Sequence, residues 1–108
     1  ILTISDLELS IVIGNLLDNA IESCRTVTEE RFIRIFISMK GTMLYFSMLN
    51  TAGPKKKKTG SLFATHKDGV HGFGLRRAEA ILEEHGGWVK YNSEDGAFTS
   101  EFLVPAIE

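Results

Sequence analysis

The sequence has little cysteine: one residue, Cys24, in 108. A single thiol excludes an internal disulfide framework and fits a reducing compartment. It also leaves His66, His71 and His85 without the partners and spacing of a zinc site. Long apolar runs are missing too. None approaches the ~20 residues of a membrane span, and no charged flank precedes an apolar segment as in a secretion signal. Neither charge sign dominates. Twelve basic against fourteen acidic residues give a net charge of −2, which removes the electrostatic footprint of a nucleic-acid binder.

What is present suits one soluble globular domain: 44% hydrophobic and 24% charged residues, in a chain long enough for one core but not two. The apolar start, Ile1 to Ile4, reads as a short strand cut from its neighbours. Ser5-Asp-Leu-Glu8 has the form of a capping box. Behind it Leu9, Val12, Ile13, Leu16, Leu17, Ala20, Ile21 and Cys24 recur at three- and four-residue steps, predicting a helix to about Arg25. Phe32 to Ser38 alternates, with Ile33, Ile35 and Ile37 on one face of a strand. Lys40-Gly41-Thr42 turns the chain into a second strand, Met43 to Asn50.

Residues 51 to 72 have a different character, with Gly53-Pro54, four lysines from Lys55 to Lys58, and Gly60, Gly69 and Gly72. An unpatterned stretch of that length inside a small domain is usually functional. Leu75, Ala78, Ile81, Leu82 and His85 then mark a second amphipathic helix, closed by Gly86-Gly87. Strands from Trp88 to Ser93 and from Ala97 to Val104 end the chain, joined by Glu94-Asp95-Gly96. Hairpins with two amphipathic helices predict an α/β two-layer sandwich, a mixed and mainly antiparallel sheet with helices on one face. Trp88 and the phenylalanines are expected in the core or in the long loop's packing, and Cys24 as a small buried residue.

Three constellations could carry chemistry. On the first helix, Asn15 and Asn19 stack one turn apart, with Glu22 beside them and Asp18 on the flank. Carboxamide oxygens suit a hard cation such as Mg²⁺, which in turn holds nucleotide phosphates; the plainer reading is the polar side of a surface helix. His71-Gly-Phe-Gly-Leu75 lies where the long loop enters the second helix, and glycines at a helix N-terminus let a phosphate approach backbone N–H groups. Alone, it marks only a turn. Asn50-Thr-Ala-Gly53 ends a strand, where a polar side chain could meet a base edge or simply close the strand.

In combination, Asn15-Leu-Leu-Asp-Asn-Ala-Ile-Glu22, Asn50, the Gly-rich loop and His71-Gly-Phe-Gly-Leu75 resemble the ATP-binding domain of the GHKL superfamily. Sensor histidine kinases, gyrase-type topoisomerases, Hsp90 chaperones and MutL proteins belong to it. The resemblance spans essentially the whole chain, 1–108, as one catalytic domain without a phospho-accepting His hairpin. The first motif and Lys67…His71-Gly-x-Gly-Leu75 look most like the peptide-sensing and quorum-sensing histidine kinases. The resemblance implies Mg²⁺ on Asn19 with Asn15 beside it, and ATP held by Asn15, Asn19, Asn50, Gly53, Lys67, His71, Gly72, Gly74, Leu75 and Thr99. Asn50 takes the place of the adenine-reading acid, residues from about 51 to 72 form the ATP lid, and Asn15 and Lys67 are the candidate catalytic residues.

The sequence departs from the family twice. Asn-Thr-Ala-Gly-Pro (50 to 54) replaces the usual Asp-x-Gly-x-Gly, and the lid phenylalanine has only Phe63 as a candidate. A third difference separates branches within the superfamily. Its ATPases carry a water-activating Glu four residues before the metal Asn; here that place is Asn15, which has no useful basicity. A phosphoryl donor needs positioning and charge neutralisation instead. The expected function is therefore the catalytic domain of a two-component histidine kinase. The resemblance implies a cytoplasmic domain of a membrane-bound sensor, without direct membrane contact. It would phosphorylate a His on the dimerising segment and act through a response regulator. His66, His71 and His85 are read as lid or surface residues, not acceptors. The alternatives are a Ser/Thr kinase of the anti-sigma-factor type and a non-catalytic interaction module.

Overall fold

The computed structural model describes residues 3–53, 58–59, 62–63 and 70–106, the side chains of 58–59, 62–63 and 70–73 excepted. The chain folds as α1 (Asp6–Cys24), β1 (Ile33–Lys40), β2 (Met43–Thr51), β3 (Lys58–Thr59), β4 (Leu62–Phe63), α2 (Val70–Glu84), β5 (Trp88–Glu94) and β6 (Ala97–Pro105). The main sheet has the order β1-β2-β6-β5, while β3 and β4 pair only with each other. Every pairing among the described strands is antiparallel. The α/β sandwich stands, but the expected parallel component is absent from this sheet. No helix among the described residues is long and apolar enough to cross a membrane.

Local chemistry sets the helix ends. At the start of α1, Ser5 Oγ accepts from Glu8 N at 3.1 Å and Glu8 Oε1 accepts from Ser5 N at 3.2 Å, the reciprocal capping box. At the end of α2, Gly86 adopts φ 82°, Gly87 N donates to Leu82 O at 2.7 Å and Gly86 N to Glu83 O at 3.0 Å. This is a Schellman closure, and the left-handed residue in it favours glycine. Gly41 and Gly96, at φ 65° and 88°, shape the two hairpin turns of the main sheet.

Helical spacing carries Val12, Leu16 and Ala20 of α1 and Leu75, Ala78 and Leu82 of α2 into one core. They meet Phe46 and Met48 of β2 and Phe102 and Val104 of β6, with the Phe46 and Phe102 rings stacked at 4.9 Å. Each of the larger of these, the valine, leucine, methionine and phenylalanine side chains, contributes roughly 1.5–3 kcal/mol. The apolar start does not form a strand in its described part. Instead Thr3 N donates to Ala106 O at 2.8 Å, and Ile4 is buried. Several expected core aromatics sit elsewhere: Trp88, Phe32 and Phe36 are 40%, 41% and 56% exposed. The strand period puts Trp88 and Phe36 on the face away from the helices, where Lys90 covers Trp88 at 5.4 Å.

A polar clamp joins the helices at the end where α1 begins and α2 stops. His85 Nε2 donates to Glu8 Oε1 at 3.0 Å. That bond, then the Ser5 backbone N–H, holds the Glu8 carboxyl below the usual carboxylate range. Stability from Glu8 is thus present above its unfolded pKa and lost as pH falls through its lower folded value. Glu8→Gln should lower Tm near pH 7, and thermal melts should show the gap to the parent chain closing as pH falls below the ordinary carboxylate range. A second test concerns the close helix–strand approach. A Cβ on Gly87 would lie 2.5 Å from Leu103 O, whereas one on Gly14 meets nothing within 4 Å. Denaturant melts are expected to show Gly87→Ala costing about 1–3 kcal/mol and Gly14→Ala gaining about 0.5–1 kcal/mol.

Candidate functional site

The site is built on the inward side of α1. Asn15, Asn19 and Ser23 follow one another at four-residue steps, covering about 12 Å of helix. Asn19 and Ser23 are each only 5% exposed, and Asn15 is partly buried. Asp18 and Glu22 are exposed, and Glu22 lies 3.5 Å from Arg25. The polar side of a surface helix is therefore not the reading for Asn19. A buried carboxamide is kept only where it is bonded, so this inward stripe is polar structure built into the packing of α1.

Two segments close on that stripe. α2 begins at Val70, so Gly72 and Gly74 lie inside its first turns and not in the loop before it. The first four N–H groups of any helix lack intrahelical partners, which places an anion-favouring end at the second glycine motif. A Cβ on Gly74 would stand 3.2 Å from Asn15 Oδ1. A side chain there would have to push the Asn15 carboxamide aside by a few tenths of an ångström, and glycine leaves it in place. At the other end, a Cβ on Gly53 would meet Thr26 Oγ1 at 3.3 Å, which sets the exit of β2 beside the end of α1.

Asn50 sits at that exit, on the helix-facing side of β2 between Ile33 and Phe98. It is 1% exposed. Its Nδ2 donates to Thr51 O at 2.8 Å, while Oδ1 has no hydrogen-bond partner among the described residues. The bond fixes which way the carboxamide points and leaves a bare acceptor. An aspartate here would set a carboxylate oxygen against the Thr51 carbonyl, which gives a physical reason for the departure from Asp-x-Gly-x-Gly. Thr51 is held in turn. Cys24 Sγ lies 3.5 Å from Thr51 O and 3.4 Å from Thr51 Oγ1, and Phe32 N donates to that Oγ1 at 3.3 Å. Sequence reasoning took Cys24 as a small buried residue. It is buried, but its contacts with Thr51 depend on elements 27 positions apart and left no local signal.

An unpaired buried oxygen fits an amino-group donor such as that of adenine, and neutral oxygen donors on α1 fit a hard cation. Of the expected contacts, the structure brings Gly74 against Asn15 and Gly53 against Thr26, and puts Asn50 three residues before Gly53. Two expected contacts do not belong with them. Thr99 stands on the outer face, opposite Leu49 and Asn92, because the period-two alternation that turns Phe98 and Ser100 inward turns Thr99 away. Leu75 is 2% exposed within the core, and packing accounts for it. His71 lies in the backbone of the first turn of α2. Lys67 and His66 lie outside the described residues, as do 54–57, 60–61 and 64–69 of the expected lid. The rest of that segment includes β3 and β4, a hairpin the unpatterned sequence did not predict.

Comparison with known proteins bears on the family and the fold. Among solved structures, the chain is similar to the catalytic domain of histidine kinase ThkA. One nucleotide-free form gives a TM-score of 0.70 at 25% identity, covering 95% of this chain and 69% of that one. The fold is shared with the histidine kinase domain of a blue-light activated kinase from Erythrobacter litoralis, with TM-score 0.72, 11% identity, and 91% and 43% of the two chains covered. It is shared also with Acinetobacter baumannii histidine kinase AdeS, with TM-score 0.66, 15% identity, and 91% and 45% covered. No curated protein sequence matches the chain. The model of the GHKL domain family matches residues 4–105. The chain belongs to the GHKL domain family, and its fold is that of histidine kinase catalytic domains.

Proposed function

We propose that this chain binds Mg-ATP and donates its γ-phosphoryl group to a histidine on a dimerising segment outside the 108 residues. The parent protein would be a sensor histidine kinase of the peptide-sensing or quorum-sensing type, membrane-bound, with this domain in the cytoplasm and a response regulator downstream. The observation that carries the reading is Asn50 Oδ1, a buried acceptor without a partner among the described residues. It stands near the exit of β2, where Gly53 approaches Thr26 just past the end of α1, and this supports the reading.

The residues divide the work by their chemistry. Asn50 accepts the exocyclic amino group of the base. Its donation to Thr51 O keeps it an acceptor and so disfavours a purine bearing a carbonyl at that position. Asn19, with Asn15 beside it, supplies neutral oxygens for Mg²⁺, which when bound neutralises phosphate charge. The first turn of α2, with Gly72, offers backbone N–H groups to the phosphates, Gly74 lets that turn lie close to Asn15, and Lys67 adds a positive charge from the lid. Asn15 positions but cannot take a proton from water. Phosphoryl transfer is retained and hydrolysis is slow.

Titration calorimetry with a non-hydrolysable ATP analogue and Mg²⁺ tests this. Asn19→Ala is expected to weaken binding tenfold or more, at least about 1.4 kcal/mol. Unchanged affinity, with the metal still bound, would sink the reading. Asn50→Leu is expected to weaken the adenine nucleotide at least tenfold and to shrink its advantage over the guanine nucleotide. Radiolabelled ATP should leave no stable phosphate on any histidine of the isolated chain.

A further inference from the structure

The start of α1 and the end of α2 meet at a side-chain cluster that the nucleotide site does not use. Glu8 stands in the first turn of α1, Glu84 is the last residue of α2, and His85 follows it. Each offers one ligand atom, an imidazole nitrogen or a carboxylate oxygen, and the three atoms lie within 4.8 Å of one another. Spacing along the chain holds no sign of this set, because 77 positions separate Glu8 from His85. Helix docking assembles it. Ser5 N and Ser5 Oγ donate to Glu8 Oε1 at 3.2 and 3.1 Å. That carboxylate is therefore held in place, while its second oxygen has no hydrogen bond among the described residues. His85 Nε2 lies 3.0 Å from Glu8 Oε1. Glu84 is exposed and has no hydrogen bond or ion pair among the described residues.

Positive charge is what the cluster lacks. Two carboxylates face one imidazole, which carries at most a single positive charge, and neither pairs with a lysine or arginine among the described residues. We propose that Glu8, Glu84 and His85 form a binding site for a divalent transition-metal ion of the zinc type, with water in the fourth position. Such an ion cancels both carboxylates with His85 neutral, and Nε2 then gives its lone pair to the ion instead of a proton to Glu8. The donors select the metal: one nitrogen with two carboxylate oxygens suits zinc, whereas Mg²⁺ takes oxygen ligands. Tetrahedral zinc ligands at about 2.0–2.1 Å stand roughly 3.3 Å from one another. His85 and Glu8 are already near that separation, and the exposed Glu84 has to close by about 1.5 Å at most. The carbonyl end of α2 favours a cation here and offsets the opposite end of the α1 dipole.

The bound ion is a clip between the helices. It ties the first turn of α1 to the residue after α2 and closes a long stretch of chain that includes β1 to β4. Cross-links that close long loops have the most chain entropy to remove. The clip lies about 16 Å along α2 from Gly74, the glycine that meets Asn15. It is thus separate from the carboxamide stripe, and the inference does not rest on the nucleotide reading.

Titration calorimetry and thermal melts of the 108-residue chain with zinc chloride, without nucleotide, test it. One Zn²⁺ per chain is expected to bind, and about 100 µM Zn²⁺ to raise Tm by about 4 °C or more. Mg²⁺ at about 5 mM should leave that shift unchanged. Glu8 also caps α1, so the deciding variants are Glu84→Gln and His85→Ala. Glu84→Gln breaks no bond among the described residues; it should keep the parent's Tm without metal and weaken zinc binding tenfold or more. His85→Ala should weaken zinc binding by at least as much. A chain carrying both His66→Ala and His71→Ala keeps the cluster and should bind zinc as the parent does. The proposal is overturned by a parent chain that shows no saturable zinc binding. It is overturned equally if Glu84→Gln or His85→Ala leaves the affinity unchanged, or if removing His66 and His71 abolishes binding.

Discussion

The constraint on which the rest of the structure depends is how α1 lies on the sheet. One face of that helix supplies Val12, Leu16 and Ala20 to the core. The next positions around it, Asn15, Asn19 and Ser23, are carried inward by the same packing. Apolar burial, at roughly 25 cal/mol per Å², is large enough to carry a few polar groups with it. The carboxamides are held in place by a core they do not join. This is how a small domain can present polar groups in a fixed array without building the array from mobile loops.

The exit of β2 is fixed by a chain of weaker bonds. Cys24 on α1 and Phe32 before β1 both engage Thr51, and Thr51 O takes the Nδ2 proton of Asn50. A bare buried acceptor costs about 1–3 kcal/mol when nothing meets it. A ligand donor reaching Asn50 Oδ1 would remove that cost. The departure from the family's acidic residue is thus consistent with its surroundings, since the neighbouring carbonyl needs a donor and a carboxylate has none.

The two edges of the sheet are treated differently. β5 has side chains of mixed polarity, and Lys90 lies across its exposed Trp88. β1 instead carries isoleucines on the inner side and Phe36 on the outer, and the helix layer stops one strand short of it. From the sequence, alternating isoleucines read as an inner face, and the alternation is real. What the alternation cannot specify is whether anything covers that face, because period two reports direction and not the distance to the next layer.

The sequence by itself determined the local structure. Ser5 and Glu8 announced where α1 begins, Gly86 where α2 ends, and Gly41 and Gly96 the turns, because capping and positive φ depend on neighbours within a few residues. The order and spacing of the Asn-rich and Gly-rich motifs likewise carried the family assignment. The tertiary structure decided the rest. It set Gly74 against Asn15, put Cys24 beside Thr51, turned Thr99 to the far face and left β1 uncovered. Each of these follows from strand register or helix docking, which joins residues tens of positions apart, and no periodicity within one segment encodes such a distance.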